Sequence, residues 1–237
     1  MNLLLVAPHE VDATGRCSIA DDRAAHLRSV LKVEVGSTVR AGIAGVGVGS
    51  ATVLADDGAA IALQLVVGPP PPGLAVELIL AIPRPKVITR TVEIAASFGI
   101  PRLDLTNAWR VEKSYLDSPR LVDAALVAAA WRGAAQGATT HVPEIAVHRR
   151  LMGLFERTWD LPGLIAHPGA PPIETVAQPG PCVLAIGPEG GWIQRELDTF
   201  VARGFQPVSF GAPILRVEAA VAAALAQLMM IARKRLT

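Results

Sequence analysis

The sequence predicts an α/β protein in two parts, a small β-rich domain over residues 1–72 and a larger α/β domain over residues 73–237. The boundary is the run GPPPPG at residues 68–73, since consecutive prolines cannot donate to a sheet ladder and favour an extended spacer. Before the prolines, short β-branched runs are separated by glycines. After them, predicted strands and helices alternate, and this alternation is typical of a parallel α/β sheet.

Four strands and one helix are predicted in the first part. The helix covers about Asp21–Lys32, because Asp21 or Asp22 can cap it and apolar residues recur on one face. The strands are β-branched runs bounded by turn signals such as the DDG triplet at residues 56–58. They cover Leu3–Val6, Glu34–Ala41, Gly49–Leu54 and Ile61–Val67. Together these elements predict a small β-barrel-like domain.

The second part is predicted to contain five strands and five helices, largely in alternation. Its first helix, Val87–Phe98, ends before Gly99 and Pro101, which are both helix-stop signals. The strands cover Val76–Ile82, Leu103–Leu105, Gly163–Ala166, Cys182–Ile186 and Pro207–Phe210. The other helices cover Leu121–Ala135, Leu151–Trp159, Ile193–Ala202 and Val217–Lys234.

Composition and charge exclude several classes of protein. The chain is 51% apolar and 18% charged with a net charge of +1, so a uniformly basic surface is excluded and any RNA-binding site is local. Cys17 and Cys182 are isolated and the histidines lack ligand spacing, which predicts neither a disulfide nor a metal site. The apolar run 219–232 is shorter than the roughly 20 residues of a bilayer span, so we expect a cytoplasmic protein without a membrane segment.

The strongest candidate for a binding site is the loop that follows the apolar strand at residues 182–186. It reads GPEGG at residues 187–191 and precedes a predicted helix. Glycine removes Cβ and allows positive φ, so the backbone of such a loop can approach a ligand closely at the carboxyl end of a strand. The alternative is an ordinary strand-to-helix turn. A phosphate loop is disfavoured because neither a Lys-Ser/Thr pair nor a GxGxxG pattern is present.

A second loop of this kind, GAPILR at residues 211–216, joins a predicted strand to the last helix. If the two strands are adjacent, the two loops form two walls of one pocket. Arg216 and Glu218 flank the start of the helix. The alternative for Glu218 is a first-turn acid favoured by the helix dipole, and for Arg216 it is the ion-pair partner of that acid.

The two loops together resemble the RsmE family of SPOUT-class methyltransferases, which make N3-methyluridine in 16S ribosomal RNA. The matching segments are IGPEGG at 186–191 and ILRVEAA at 214–220, with Gly211 before the second. The segment HLRSVLKVEVG at 26–36 is similar to part of that family's PUA-like domain. Lys32 stands where the family usually has arginine, and ASFG at 96–99 replaces a Glu-Leu-Gly.

The resemblance implies a trefoil-knotted α/β methyltransferase domain, preceded by the PUA-like β-barrel domain. It also implies that S-adenosylmethionine binds in a bent form between the two loops. The protein would then be a homodimer whose substrate is ribosomal RNA or the small ribosomal subunit. By matching position, the cofactor contacts are Ile186, Gly187, Glu189, Gly190, Gly191, Phe210, Gly211, Ile214 and Leu215.

Roles in catalysis and RNA binding follow as hypotheses. Arg216 would orient the base and stabilise charge on it, and Glu218 is a candidate general base that could instead only hold Arg216 in place. Trp109 or Tyr115 is available for base stacking, with core packing as the alternative. The candidate RNA-binding cations are Arg28, Lys32, Arg84, Lys86, Arg110 and Lys113.

Two other functions stay open on the sequence alone. The first is a SPOUT methyltransferase that acts on another RNA or another position. The second is a non-catalytic RNA-binding or ribosome-assembly factor that keeps the fold, although the intact glycines and Arg216 argue against it.

Overall fold

The computed structural model describes residues 2–233 and contains two β-sheets, a mixed, curled one and a parallel one. Residues 68–75, which include the proline run, connect the two sheets without regular secondary structure. Lys234, the predicted end of the last helix, lies outside the described residues. Within residues 2–233, no helix is long and apolar enough to cross a membrane.

The first sheet has five strands, of which one was not expected. Their bounds are Leu4–Val6 (β1), Arg16–Ile19 (β2), Thr38–Ile43 (β3), Gly47–Asp56 (β4) and Ile61–Val67 (β5). The order is β1-β3-β4-β5-β2, and only the β1–β3 pair is parallel among these described pairs. Strand β3 begins four residues later than predicted, because Gly36 adopts a left-handed φ of 89° in the preceding turn.

The first helix, α1 (Asp22–Ser29), is shorter than predicted at its carboxyl end. Its start agrees with the sequence, since the Asp21 carboxylate accepts a hydrogen bond from the Arg23 backbone N–H at 2.9 Å. Leu27 is fully buried in the core of the first sheet, but Val30 is 61% exposed. Lys32, with a φ of 51°, lies beyond the helix, so the predicted extension to this residue is wrong.

The second sheet has six parallel strands in the order β11-β9-β10-β6-β7-β8. Their bounds are Val76–Ala81 (β6), Arg102–Thr106 (β7), Glu144–His148 (β8), Gly163–Ala166 (β9), Cys182–Ile186 (β10) and Phe205–Val208 (β11). All five residues of β10 are buried, because helices or loops cover both faces of a central parallel strand. Edge strand β8 was not predicted, since its residues are half-buried or exposed and form no continuous apolar run.

Six further helices pack on this sheet or connect its strands. Their bounds are Pro85–Ser97 (α2), Asp123–Gln136 (α3), Leu151–Leu154 (α4), Ile173–Val176 (α5), Gln194–Val201 (α6) and Val217–Arg233 (α7). Helices α2 and α3 lie very close together, and a Cβ at Gly133 would be 2.3 Å from the Glu93 carbonyl oxygen. Short 3₁₀ turns occur at Pro8–Glu10, Lys113–Asp117 and Pro119–Leu121.

The two sheets are joined by a buried contact. Leu3 and Leu5, on either side of the first residue of β1, pack against Ala134 and Ala135 of α3. The Gly45 backbone N–H also donates to the Thr140 carbonyl at 2.9 Å. The first sheet is therefore held against the parallel sheet on the α3 side.

Candidate functional site

The loop after β10 is a tight glycine turn whose shape is fixed by its own residues. The Gly191 N–H donates to the Pro188 carbonyl at 2.8 Å, and Gly191 adopts a left-handed φ of 72°. A Cβ at Gly187 would be 3.1 Å from Trp192 Nε1 and 3.2 Å from the Trp192 backbone nitrogen. The left-handed φ of Gly191 therefore favours glycine, and a side chain at Gly187 would require Trp192 to shift.

The loop after β11 is held at its start by the last helix. Phe210 accepts a hydrogen bond at its carbonyl from the Gln227 side chain of α7, at 3.1 Å. Gly211 adopts a positive φ of 127°. Ile214 is 90% exposed, so the middle of this loop stands out from the molecule.

These two loops enclose one cavity of about 700 Å³ at the carboxyl ends of three neighbouring strands, β11, β9 and β10. All nine residues expected to contact the cofactor line it. They are Ile186, Gly187, Glu189, Gly190, Gly191, Phe210, Gly211, Ile214 and Leu215. The structure thus brings together two segments that the sequence singled out separately, and their contact with a cofactor stays a prediction.

A third wall of the cavity comes from the loop after β9, which sequence reasoning missed. His167, Pro168, Gly169 and Pro172 line the cavity. The His167 N–H donates to the Val208 carbonyl and the Ser209 N–H to the Pro171 carbonyl, each at 2.9 Å. The sequence HPGAPP at 167–172, directly after a predicted strand, was the signal that could have found it.

Two arginines expected to bind RNA contact the loop after β10, and their contact with RNA stays a prediction. The Arg84 guanidinium lies 3.1 Å from the Glu189 carboxylate, which also accepts from the Arg84 backbone N–H at 3.2 Å. Arg110 lines the cavity and donates to the Gly190 carbonyl. The methylene groups of Arg110 lie against Gly190, where a Cβ would be 2.9 Å from Arg110 Cδ.

Glu196, which the sequence did not single out, connects two loops at the edge of this site. Its side chain belongs to α6, and the residue is only 8% exposed. One carboxylate oxygen accepts from the Ile193 N–H at 3.0 Å and the other from the Trp109 N–H at 2.7 Å. The carboxylate therefore ties the start of α6 to the loop after β7.

Neither candidate catalytic residue lines the cavity, although their sequence neighbours Leu215 and Val217 do. Arg216 is exposed and Glu218 is half-buried, while Val217 between them lines the cavity. Across residues 2–233, Arg216 forms no ion pair with Glu218 or with any other residue. The alternative interpretation of Arg216 as an ion-pair partner is therefore wrong for this structure.

The other expected RNA-binding residues lie apart from the cavity wall. Arg28 is paired with Asp56 at 2.6 Å, and this hydrogen bond lowers the pKa of Asp56 to about 2. Lys32, Lys86 and Lys113 are exposed and form no ion pair within the described part of the chain.

The aromatic candidates differ in exposure. Trp109 is 78% exposed, so core packing is excluded for it. Tyr115 is half-buried and packs against the core of the parallel sheet, and burial raises its pKa.

A second group of charges lies across β6, β7 and β8. Asp104 is fully buried and accepts from Arg102 Nε and Nη2 at 2.9 and 3.0 Å, from His148 at 2.8 Å and from Arg157 at 3.1 Å. Burial by itself raises the pKa of Asp104, but the hydrogen bonds from Arg102 and His148 outweigh it and the pKa is lowered. Glu77 completes this group, the Asp104 cluster, through an ion pair with Arg157.

Metal chemistry has no candidate site in residues 2–233, where no group of three or more His, Cys, Asp or Glu side chains is placed to hold an ion.

Cys17 and Cys182 are buried free thiols, and burial raises the pKa of each to about 11. Neither thiol is therefore ionised near neutral pH.

Comparison with known proteins identifies a family and several relatives. Residues 70–229 match the family model described as RNA methyltransferase domain. Over 95% of its length, the chain is 29% identical to the ribosomal RNA small subunit methyltransferase E of Treponema pallidum, covering 90% of that protein. Its identity to ribosomal RNA small subunit methyltransferase E 1 of Borreliella burgdorferi is 26%, over 94% of this chain and 95% of the relative.

Solved structures share the fold over almost the whole chain. A ribosomal RNA small subunit methyltransferase E from Neisseria gonorrhoeae, bound to S-adenosylmethionine, aligns with a TM-score of 0.80 at 20% identity and covers 98% of both chains. A putative methyltransferase from Legionella pneumophila, also with S-adenosylmethionine, aligns with a TM-score of 0.79 at 19% identity and covers 97% of both chains.

Proposed function

The chain belongs to the RNA methyltransferase domain family, and from that premise we propose that it methylates N3 of a uridine in small-subunit ribosomal RNA. The methyl donor is S-adenosylmethionine. The resemblance to the RsmE family seen in the sequence is confirmed by this match and by the two spirochaete relatives. The observation that carries the proposal is the single cavity that both glycine loops line at the carboxyl ends of β9, β10 and β11.

The residues present fit S-adenosylmethionine. The cavity has the volume of a small-molecule site, and its walls are mostly apolar and backbone atoms. Trp192 lines the cavity, and its buried Nε1 beside Gly187 has no hydrogen-bond partner in residues 2–233. When bound, the cofactor supplies an electrophilic methyl group, and Ile186, Gly187 and Phe210 are among the residues that would hold it.

We extend the proposal to the architecture. Residues 1–72 form a PUA-like RNA-binding domain and residues 73–237 a trefoil-knotted SPOUT domain. The separate curled sheet, the unstructured proline run and the parallel sheet support this division. A knot would explain how the loops after β9, β10 and β11 come together in one cavity without a GxGxxG motif.

The chemistry requires that the uridine N3 proton be removed while negative charge spreads to O2 and O4. Arg216 is suited to stabilise that charge, because it is exposed and unpaired within the described chain. Leu215 and Val217, its two neighbours, line the cavity and fix its backbone there. Glu218 lies one residue further along α7, and we propose it as the general base that takes the N3 proton.

RNA binding would be shared by both domains. Lys32 in the first domain and Lys86 and Lys113 in the second are exposed cations suited to phosphates. Arg28, Arg84 and Arg110 are already engaged by Asp56, Glu189 and Gly190, so these three would act mainly by holding their loops.

We also propose a homodimer. Ile214 lines the cavity yet is 90% exposed in the single chain, and a second copy next to the cavity would cover it.

The proposal is tested by mass spectrometry of 16S ribosomal RNA from a strain that lacks the gene. We expect one N3-methyluridine to disappear and to return when the wild-type gene, but not an Arg216→Ala gene, is supplied. Loss of a different methylated nucleotide would show a methyltransferase with another target, and an unchanged RNA would contradict the proposed function.

A further inference from the structure

Trp109 is the most exposed of the four tryptophans, although the backbone around it is firmly held. Its neighbours Ala108 and Val111 are each 7% exposed, and the Val111 N–H donates to the Ala108 carbonyl at 3.0 Å. Its own N–H is bound by the buried Glu196 carboxylate at 2.7 Å. The chain thus displays a large aromatic ring to solvent from an anchored turn, and tryptophan is a residue type enriched at contact surfaces.

The position of this turn relates it to the cavity. Arg110, the next residue, lines the cavity and donates to the Gly190 carbonyl of the loop after β10. The same Glu196 carboxylate that holds Trp109 also accepts from Ile193, just after that loop. Two hydrogen-bond ties therefore hold the turn that carries the indole next to the cavity.

We propose that Trp109 stacks on a base of the target RNA next to the methylated nucleotide, and that Glu196 is a positioning residue that sets its place against the cofactor loop. This rests on the proposed function. The chemistry of the turn favours RNA, because an exposed flat ring four residues before the exposed cation Lys113 matches an unstacked base and its phosphate. The alternative is that a second copy of the chain covers the ring, but an apolar contact between two copies would not require a cation near it.

The first test uses steady-state methyl transfer to small-subunit ribosomal RNA. Trp109→Ala should raise the KM for RNA roughly tenfold, the scale of one lost base stack, with kcat and S-adenosylmethionine affinity within twofold of wild type. Trp109→Phe should recover most of the loss, and Met152→Ala, which removes another exposed apolar side chain, serves as the matched control. An unchanged KM in Trp109→Ala, or its conversion from dimer to monomer in light scattering, would overturn the proposal.

Glu196 is tested by a double-mutant cycle. Glu196→Gln removes one acceptor while keeping the size of the side chain, so it should raise the KM for RNA in the wild-type background. In the Trp109→Ala background the same change should have little further effect, because the ring that it positions is absent. An equal loss of affinity in both backgrounds would show that Glu196 acts only on α6.

A binding measurement separates this inference from the proposed function. A single-stranded uridine-containing oligonucleotide should quench tryptophan fluorescence in the wild-type protein much more than in Trp109→Phe. Equal quenching in the two proteins overturns the stacking role whether or not methyl transfer occurs. Absence of methyl transfer by wild-type protein, together with quenching specific to Trp109, would contradict the proposed function and leave the stacking role supported.

Discussion

The cavity and the Asp104 cluster are two polar regions on the same parallel sheet, and they are built in opposite ways. In the cluster, the Asp104 carboxylate is 1% exposed and receives hydrogen bonds from two arginines and a histidine. At the cavity, the strands end in glycine and proline loops, and Trp192 Nε1 and the Arg216 guanidinium have no partner in residues 2–233.

The difference shows which polar groups are available for function. A buried carboxylate whose hydrogen bonds are all supplied by the protein has no free acceptor for a ligand. Its role is therefore structural: it stabilises the fold and fixes the spacing of the strands, and removing it leaves its partners unpaired. An unpaired donor and an open backbone loop leave that capacity unused. Ionisable residues alone would have pointed to the Asp104 cluster, whereas the candidate site lies where the side chains are smallest.

The largest expected effect is a loss of stability when the charge at the centre of the Asp104 cluster is removed. Asp104→Asn removes the charge that Arg102, His148 and Arg157 share, so these cations lose their common partner in a buried place. We expect the free energy of unfolding to fall by about 3 kcal/mol, measured by urea denaturation. S-adenosylmethionine affinity should stay at the wild-type value. Asp117→Asn, which affects an exposed pair with Arg149, should change stability little.

The pH dependence of this effect provides a control. The pKa of Asp104 is lowered in the folded protein, so its stabilising contribution is present above the unfolded pKa of about 4 and is lost as pH falls through the folded pKa. The stability difference between wild type and Asp104→Asn should therefore narrow at acid pH. A difference that stays constant from pH 7 to below pH 3 would show that the charge is not the cause.

The next largest effect is a loss of cofactor affinity when a side chain is added in the wall of the cavity. Gly190→Val places a side chain where a Cβ is already 2.9 Å from Arg110 Cδ, which displaces the Arg110 side chain and narrows the cavity that both residues line. S-adenosylmethionine affinity, measured by calorimetry, should fall at least 100-fold, or about 2.7 kcal/mol. Gly153→Val is the matched control, because nothing lies within 4 Å of its Cβ position. Wild-type affinity in Gly190→Val would place the cofactor elsewhere.

A smaller effect is expected at Arg216, whose sequence neighbours line the cavity. Arg216→Ala should keep S-adenosylmethionine affinity and lower kcat at least tenfold, or about 1.4 kcal/mol of transition-state stabilisation. The reason is that its charge acts on the uridine and not on the cofactor. Turnover equal to wild type in single-turnover assays would remove Arg216 from the chemistry.

The smallest expected effect is on RNA affinity and comes from the exposed lysines, each of which contributes a small electrostatic attraction. Lys86→Ala/Lys113→Ala should weaken RNA binding several-fold and reduce the slope of log affinity against log salt by about one to two. Both residues are exposed and form no ion pair in the described chain, so their loss should leave the fold unchanged. An unaltered salt slope would show that the phosphates bind another surface.

The sequence predicted the parallel sheet and both glycine loops because their signals are local. Strand β10 is a continuous apolar run and GPEGG follows it directly. The half-buried strand β8 and the four-residue β2 gave no such signal, and tertiary pairing decides them. Glu196 was missed for a similar reason, since its partner Trp109 is 87 positions away.

Arg84 and Arg110 were singled out from the sequence, but their contacts within the protein could not be predicted from it. From the sequence both were expected to hold RNA phosphates, because they are cations in a basic segment. Folding brings them to Glu189 and Gly190, across 105 and 80 positions of chain, and their contact with RNA stays a prediction. Charge is visible in a sequence, but the partner of a charge is set by topology.

The comparison of the two regions is tested most directly by hydrogen–deuterium exchange of backbone amides with and without S-adenosylmethionine. We predict slower exchange in the loops at 187–193, 209–216 and 167–172, because the cofactor would order all three walls of the cavity. Exchange in β7 and β8, which carry the Asp104 cluster, should be unchanged. Protection at β7 and β8 without protection of the two glycine loops would contradict the account.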